Sequence, residues 1–156
     1  MFPKLDDVQI ARLAPFGRKI DTQAGEVVVE QGDSHRGVFV VLSGGLELLA
    51  VSAAGESRLR LLSRGEFNGE VNMLSGRRSL VRLRTPEAST LFEIDRAHLR
   101  QIMQTDAELG ETFLNAFIMR RVYLIAHSLG DAVLVGSSHS SDTLRLREFL
   151  TRNGHP

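Results

Sequence analysis

The spacing of apolar residues changes character three times along the chain. Leu5, Val8 and Leu13, with Ile10 nearby, fit a short first helix that ends near Pro15 and Gly17. From Ile20 to Ile94 the pattern becomes a series of short apolar runs broken by glycine. The runs cover 26–30, 38–42, 46–51, 59–62, 81–84 and 90–94. Gly25, Gly32-Asp33, Gly44-Gly45, Ala54-Gly55-Glu56, Gly65-Glu66 and Thr85-Pro86 punctuate them. Val- and Leu-rich runs at roughly 8–12-residue spacing, with turn signals between, predict an antiparallel sandwich or barrel. Polar and apolar residues alternate over 57–61 and 80–84. Those strands should therefore have one wet face and one buried face.

From Asp95 the period turns helical. Asp95 is placed to cap a helix carrying Leu99, Ile102 and Met103. A longer helix starts at Asp106, carries Leu109, Phe113, Phe117, Val122 and Ile125, and stops at Gly130. Its apolar set also includes Leu114, Ile118, Leu124 and Leu129, which is wider than one stripe. One face should close on the β region and another can meet a second chain; the alternative is that the helix is simply well buried. The segment 132–136 then reads as a buried parallel strand and 137–140 as a loop. Asp142 caps a last helix through Leu144, Leu146, Phe149 and Leu150. This β-loop-α half-unit ends where a further strand should begin, so the sequence is expected to continue in a longer protein.

Composition narrows the chemistry. Nineteen basic and nineteen acidic residues leave no net charge, so no global basic field exists to hold nucleic acid. Cysteine is absent, which excludes thiolate catalysis and zinc–thiolate sites. His35, His98, His127, His139 and His155 are scattered without ligand spacing, so no metal site is expected. No apolar run is long enough to cross a membrane, and a cytoplasmic protein is the default expectation.

One stretch, residues 65–81, carries candidate binding chemistry. Gly69 and Glu70 precede a short apolar turn of helix, and Arg78-Ser79 return the chain into a strand. Gly69 lets the backbone come close to a ligand. The helix start and the Arg78 fork suit phosphate oxygens, and Ser79 adds a hydroxyl. Glu70, acceptor-only when ionised, suits a ribose 2′-OH. Arg82 and Arg84 read as a solvated strand face.

These residues resemble the phosphate-binding cassette of cyclic-nucleotide-binding domains. Such domains occur in catabolite-activator-type regulators, in regulatory subunits of protein kinase A and in cyclic-nucleotide-gated channels. Ala24-Gly25-Glu26, Gln31-Gly32-Asp33, 40–44 and Gly65-Glu66-Phe67 fit the same pattern. The resemblance spans about residues 5–129. It implies a mainly β fold with flanking α: an antiparallel jelly-roll barrel, one helix before and two after. The domain is expected over 1–130, with the β-roll at 18–95 and a lid helix at 106–129.

The resemblance further implies that Gly69 and Glu70 hold the ribose and that Arg78, Ser79 and Leu80 hold the phosphate. Leu59, Phe67, Val71 and Asn72 would line the pocket, and Arg121, Ile125 and Ala126 would lie on the lid. The chain departs from the pattern in three ways. Leu80 stands where a small alanine is usual, two residues after the arginine. Asn68 replaces an apolar residue before Gly69. Ile125 and Ala126 supply no hydroxyl to a base.

The ligand implied is a cyclic nucleoside monophosphate, cAMP favoured over cGMP, bound by a module that does no catalysis. A homodimer through 106–129 is the expected protein contact, and a ligand-free dimerisation scaffold is the alternative. Residues 131–156 are similar to the start of a thioredoxin- or glutaredoxin-like segment ahead of a thioredoxin-reductase-like flavoprotein. That likeness implies a downstream oxidoreductase, with FAD and NADPH belonging to the parent only.

Overall fold

The computed structural model describes residues 2–34, 37–76, 78–126, 143–145 and 148. The chain divides into two compact units, residues 1–118 and 119–156. In the second, Thr143, Leu144, Arg145 and Glu148 are helical. The strand expected over 132–136, the loop at 137–140 and the domain boundary at 130 lie outside the described residues.

The first unit opens with α1 (Asp7–Arg12). Asp6 caps it: its carboxylate accepts the Gln9 amide at 2.7 Å, and the Gln9 side chain accepts the Asp6 amide at 3.1 Å. A 3-10 turn, Ala14–Phe16, then delivers the chain to the sheets. Eight strands follow: β1 (Arg18–Thr22), β2 (Val27–Val29), β3 (Gly37–Ser43), β4 (Leu46–Ser52), β5 (Gly55–Leu62), β6 (Phe67–Asn68), β7 (Arg82–Arg84) and β8 (Ser89–Asp95). They form two antiparallel four-stranded sheets, ordered β1-β8-β3-β6 and β2-β7-β4-β5. The sheets are not closed into a barrel; β1, β6, β2 and β5 stand at their edges.

The six predicted runs are all strands, but β5 begins four residues earlier than its run. Two strands had no run of their own. β1 buries only Thr22 of its five residues, and β6 is two residues long, so neither carries a periodic signal.

β3 is buried along both faces, and its side chains alternate between two cores. Val38 and Val40 join Phe67, Phe92, Ile94, Leu99, Ile102, Leu109 and Phe113 on the helical side. Phe39 and Val41 join Val29, Leu46, Leu62, Leu83 and Leu91 between the sheets. The first sheet is thus sandwiched between the helices and the second sheet.

The helices that follow α1 in this part of the described chain are α2 (Glu70–Ser75), α3 (Arg96–Thr105) and α4 (Ala107–Ala126). Asp95 caps α3 by accepting the His98 amide at 2.9 Å, which also holds its carboxyl below the usual range. Asp106 caps α4 by accepting the Leu109 amide at 3.1 Å. Asp95 was expected as a cap; the longer helix, expected to start at Asp106, begins one residue later with Asp106 as its cap.

Candidate cyclic-nucleotide cassette

Phe67 of β6 pairs with Val40 of β3, which fixes where the chain leaves the sheet. Gly69 then takes φ +114°, a left-handed conformation that side chains avoid, and acts as the N-cap of α2. Glu70 is the first residue of α2 and is fully buried. Burial of a carboxylate is costly unless polar groups meet it, so its place at the start of this turn is a strong local constraint. Val71 and Asn72 follow, half-buried. Gly76, at φ +72°, stops the helix after six residues.

The return to the sheet is pinned by a polar ladder. The Asn72 amide group donates to the Arg78 carbonyl at 2.7 Å. Arg78 forms an isolated antiparallel bridge with Ser34. The Ser79 amide donates to the Asp33 carbonyl at 2.8 Å, and the Gly32 amide donates to the Ser79 carbonyl at 2.7 Å. The exposed Arg78 side chain donates through Nη1 to the Gly32 carbonyl at 2.9 Å. Ser79 is buried, and its hydroxyl donates to the Val81 carbonyl at 2.6 Å. Gly69, Glu70, Val71, Asn72, Arg78 and Ser79 therefore belong to one connected element, seated on the turn between β2 and β3.

Other expected site residues stand elsewhere. Leu80 is 45% exposed and does not fill the interior beside Ser79. Phe67 is fully buried and meets the Phe113 ring edge-on at 4.9 Å, so its ring packs in the core. Leu59 is exposed on β5. Arg121 lies on α4 within the second unit, as do Ile125 and Ala126.

Arg82 and Arg84 are more than a solvated face. Arg82 binds Glu30 at 2.8 Å and also Glu56; Arg84 binds Glu47 at 2.7 Å and Glu56 at 2.8 Å. Glu30 chiefly, with Glu56, pushes the Arg82 pKa up, and Glu47 does the same for Arg84. This leaves both guanidinia committed to carboxylates of the sheet.

The approach to the cassette is equally tied. Burial pushes the Glu66 carboxyl up, but the Ser63 amide and the Arg60 guanidinium outweigh it and hold the group below its ordinary range. The sequence reading missed Gly32 and Asp33 as backbone partners of Ser79. Their glycine–aspartate turn signal was visible, but its target 46 residues away was not. Among the described residues no group of three or more His, Asp or Glu is arranged to hold a metal ion.

Residues 19–106, just over half the chain, match the cyclic nucleotide-binding domain family. The lysophospholipase NTE1 of Meyerozyma guilliermondii is 31% identical over 100 residues, which is 64% of this chain and 7% of that protein. The chain spans less than a quarter of the length of the curated relatives it matches. A transcriptional regulator from Thermotoga maritima superposes with a TM-score of 0.69 at 23% identity, covering 80% of this chain and 95% of that one. The regulatory domain of Toxoplasma gondii protein kinase A, solved with cAMP, gives 0.56 at 19% identity, covering 63% and 38%. A buried glutamate after a left-handed glycine, a return strand seated on a neighbouring turn and the match over 19–106 together establish that the chain belongs to the cyclic nucleotide-binding domain family.

Proposed function

We propose that the chain binds a cyclic nucleoside monophosphate on the 69–79 cassette and acts as a sensor without catalysis. The observation that carries this reading is the fully buried Glu70 directly after Gly69, on the same stitched element as Arg78 and Ser79. An ionised carboxylate only accepts hydrogen bonds, so Glu70 suits the ribose 2′-OH. A nearby guanidinium suits the cyclic phosphate.

The burial of Ser79 bears on which arginine does this. In the family pattern a small residue stands two positions after the phosphate arginine. Counted to Leu80, that arginine is Arg78. Leu80 is exposed, however, and the small buried residue is Ser79. Counted to Ser79, the arginine is Arg77, and the Leu80 departure disappears. Ser79 then serves as the small packing residue, with its hydroxyl spent on Val81. We favour Arg77 as the phosphate ligand, with Arg78 anchoring the turn through Gly32.

Calorimetric titration of the parent, Arg77→Ala and Arg78→Ala with cAMP and with cGMP tests both levels. Losing one charge-assisted contact costs roughly 1.5–3 kcal/mol, about tenfold to a hundredfold in affinity. That loss is expected for Arg77→Ala, with a smaller one for Arg78→Ala. The reverse order returns the role to Arg78. No heat from either nucleotide at millimolar concentration overturns the sensor reading. cAMP is favoured over cGMP on the likeness alone, and the two titrations rank them.

A second reading rests on α4, which exposes Leu114, Ile118, Met119, Val122 and Tyr123. Five large apolar side chains exposed on one helix suit a chain–chain contact. In this reading the domain is a dimerisation scaffold, with or without ligand. Relay of occupancy through α4 to a downstream oxidoreductase extends the first reading and rests on the 131–156 likeness.

A further inference from the structure

We infer that α1 is a strut, holding the turn before the cassette at one end and the first turn of α4 at the other. The near end is built on backbone. The Leu5 amide donates to the Gly65 carbonyl at 2.9 Å, and the Gly65 amide donates to Val41 of β3 at 2.8 Å. Gly65 has φ +81°, and a Cβ there would stand 2.3 Å from the Leu5 carbonyl oxygen. Arg64 reinforces the junction, donating to the Leu42 carbonyl at 2.6 Å and to Asp7 at 2.8 Å. Phe2 lies under the Arg60 guanidinium at 4.9 Å. Three residues separate Gly65 from Gly69, so this junction sets the approach to the cassette.

The far end is built on side chains. Arg12, the last residue of α1, donates through Nε to Asp106 at 3.0 Å and through Nη1 to Glu108 at 2.6 Å; its Nη2 also meets Asp106. Gln9 donates to the other Glu108 oxygen at 2.9 Å. Asp106 is at once the cap of α4 and the partner of this fork. Leu5 and Leu13, flanking α1, are buried in the helical core, so the strut is seated at both ends. A chain segment fixed at two places transmits a shift at one to the other only if it moves as a body. A single helical turn and a half, capped and clasped, meets that condition.

The inference does not depend on which ligand binds, or on whether one does. Hydrogen exchange on the whole 156-residue chain without nucleotide tests it. Arg12→Gln removes the clasp; Gly65→Ala wedges the near end. Arg12→Gln is expected to speed exchange at Leu5 and Glu66, the far end from the change, by about tenfold. Gly65→Ala is expected to do the same at Leu109 and Gly110. Amides of β3 and β8 should keep the parent rates in both variants. Unchanged far ends overturn the strut, and so does an equal rise in β3 and β8, which reports loosening of the whole fold. Because the readout is made without ligand, failure of the strut and failure of the sensor reading are separate results.

Discussion

Phe67 and Leu80 flank the cassette and differ sharply in surroundings: the first is fully buried against Phe113, the second is 45% exposed. Removing a buried aromatic ring leaves a cavity its neighbours cannot close. Phe67→Ala is therefore expected to cost about 3–5 kcal/mol. Leu80→Ala should stay within about 0.5 kcal/mol of the parent. Urea unfolding of the two variants checks this, and a larger loss at position 80 would contradict the placement. The residue types of the site were legible in the sequence, because Gly69, Glu70 and an arginine-serine return carry distinct chemistry. Their burial was not. A two-residue strand such as β6 has no period from which to read an inward face, and only the pairing of Phe67 with Val40 decides it.

Among the elements, α1 and α4 are joined by charges whose balance depends on pH. The Arg12 hydrogen bond, and then the Leu109 amide, hold the Asp106 carboxyl below its ordinary range; Arg12 and then Gln9 do the same for Glu108. Both carboxyls thus take up protons less readily folded than unfolded. Their contribution to stability is complete above the unfolded carboxylate range of about 4 and fades as pH falls through the lower folded values. The gap in denaturant midpoint between the parent and Arg12→Gln should be constant near neutrality and shrink in acid. A gap that widens on acidification would contradict the sign. The cap of α3 was readable because Asp95 stands just before an apolar repeat, and the start of α4 was read at Asp106; the Asp6 cap of α1 was not read. The clasp itself was not, since Arg12 and Asp106 meet across 94 residues and no local pattern links them.

At the scale of the molecule, the breadth of apolar positions on α4 was visible in sequence, and exposed residues remain on it in the structure. If the helix mediates self-association, sedimentation across a concentration series should give a dimer for the parent and a monomer for Ile118→Glu and Val122→Glu. Both positions are exposed, so the substitutions spare the core. A parent that stays monomeric throughout removes the scaffold reading.

β3 has a wider consequence. Its even-numbered valines belong to the helical core and its odd-numbered side chains to the space between sheets. A slip of one residue against β8 would exchange the two sets and spoil both interiors together. The alignment of this strand is therefore chosen twice, by independent partners on opposite sides. The turn at Gly32 and Asp33 precedes β3 in the chain, so the dock for Ser79 inherits a position that no single neighbour sets alone.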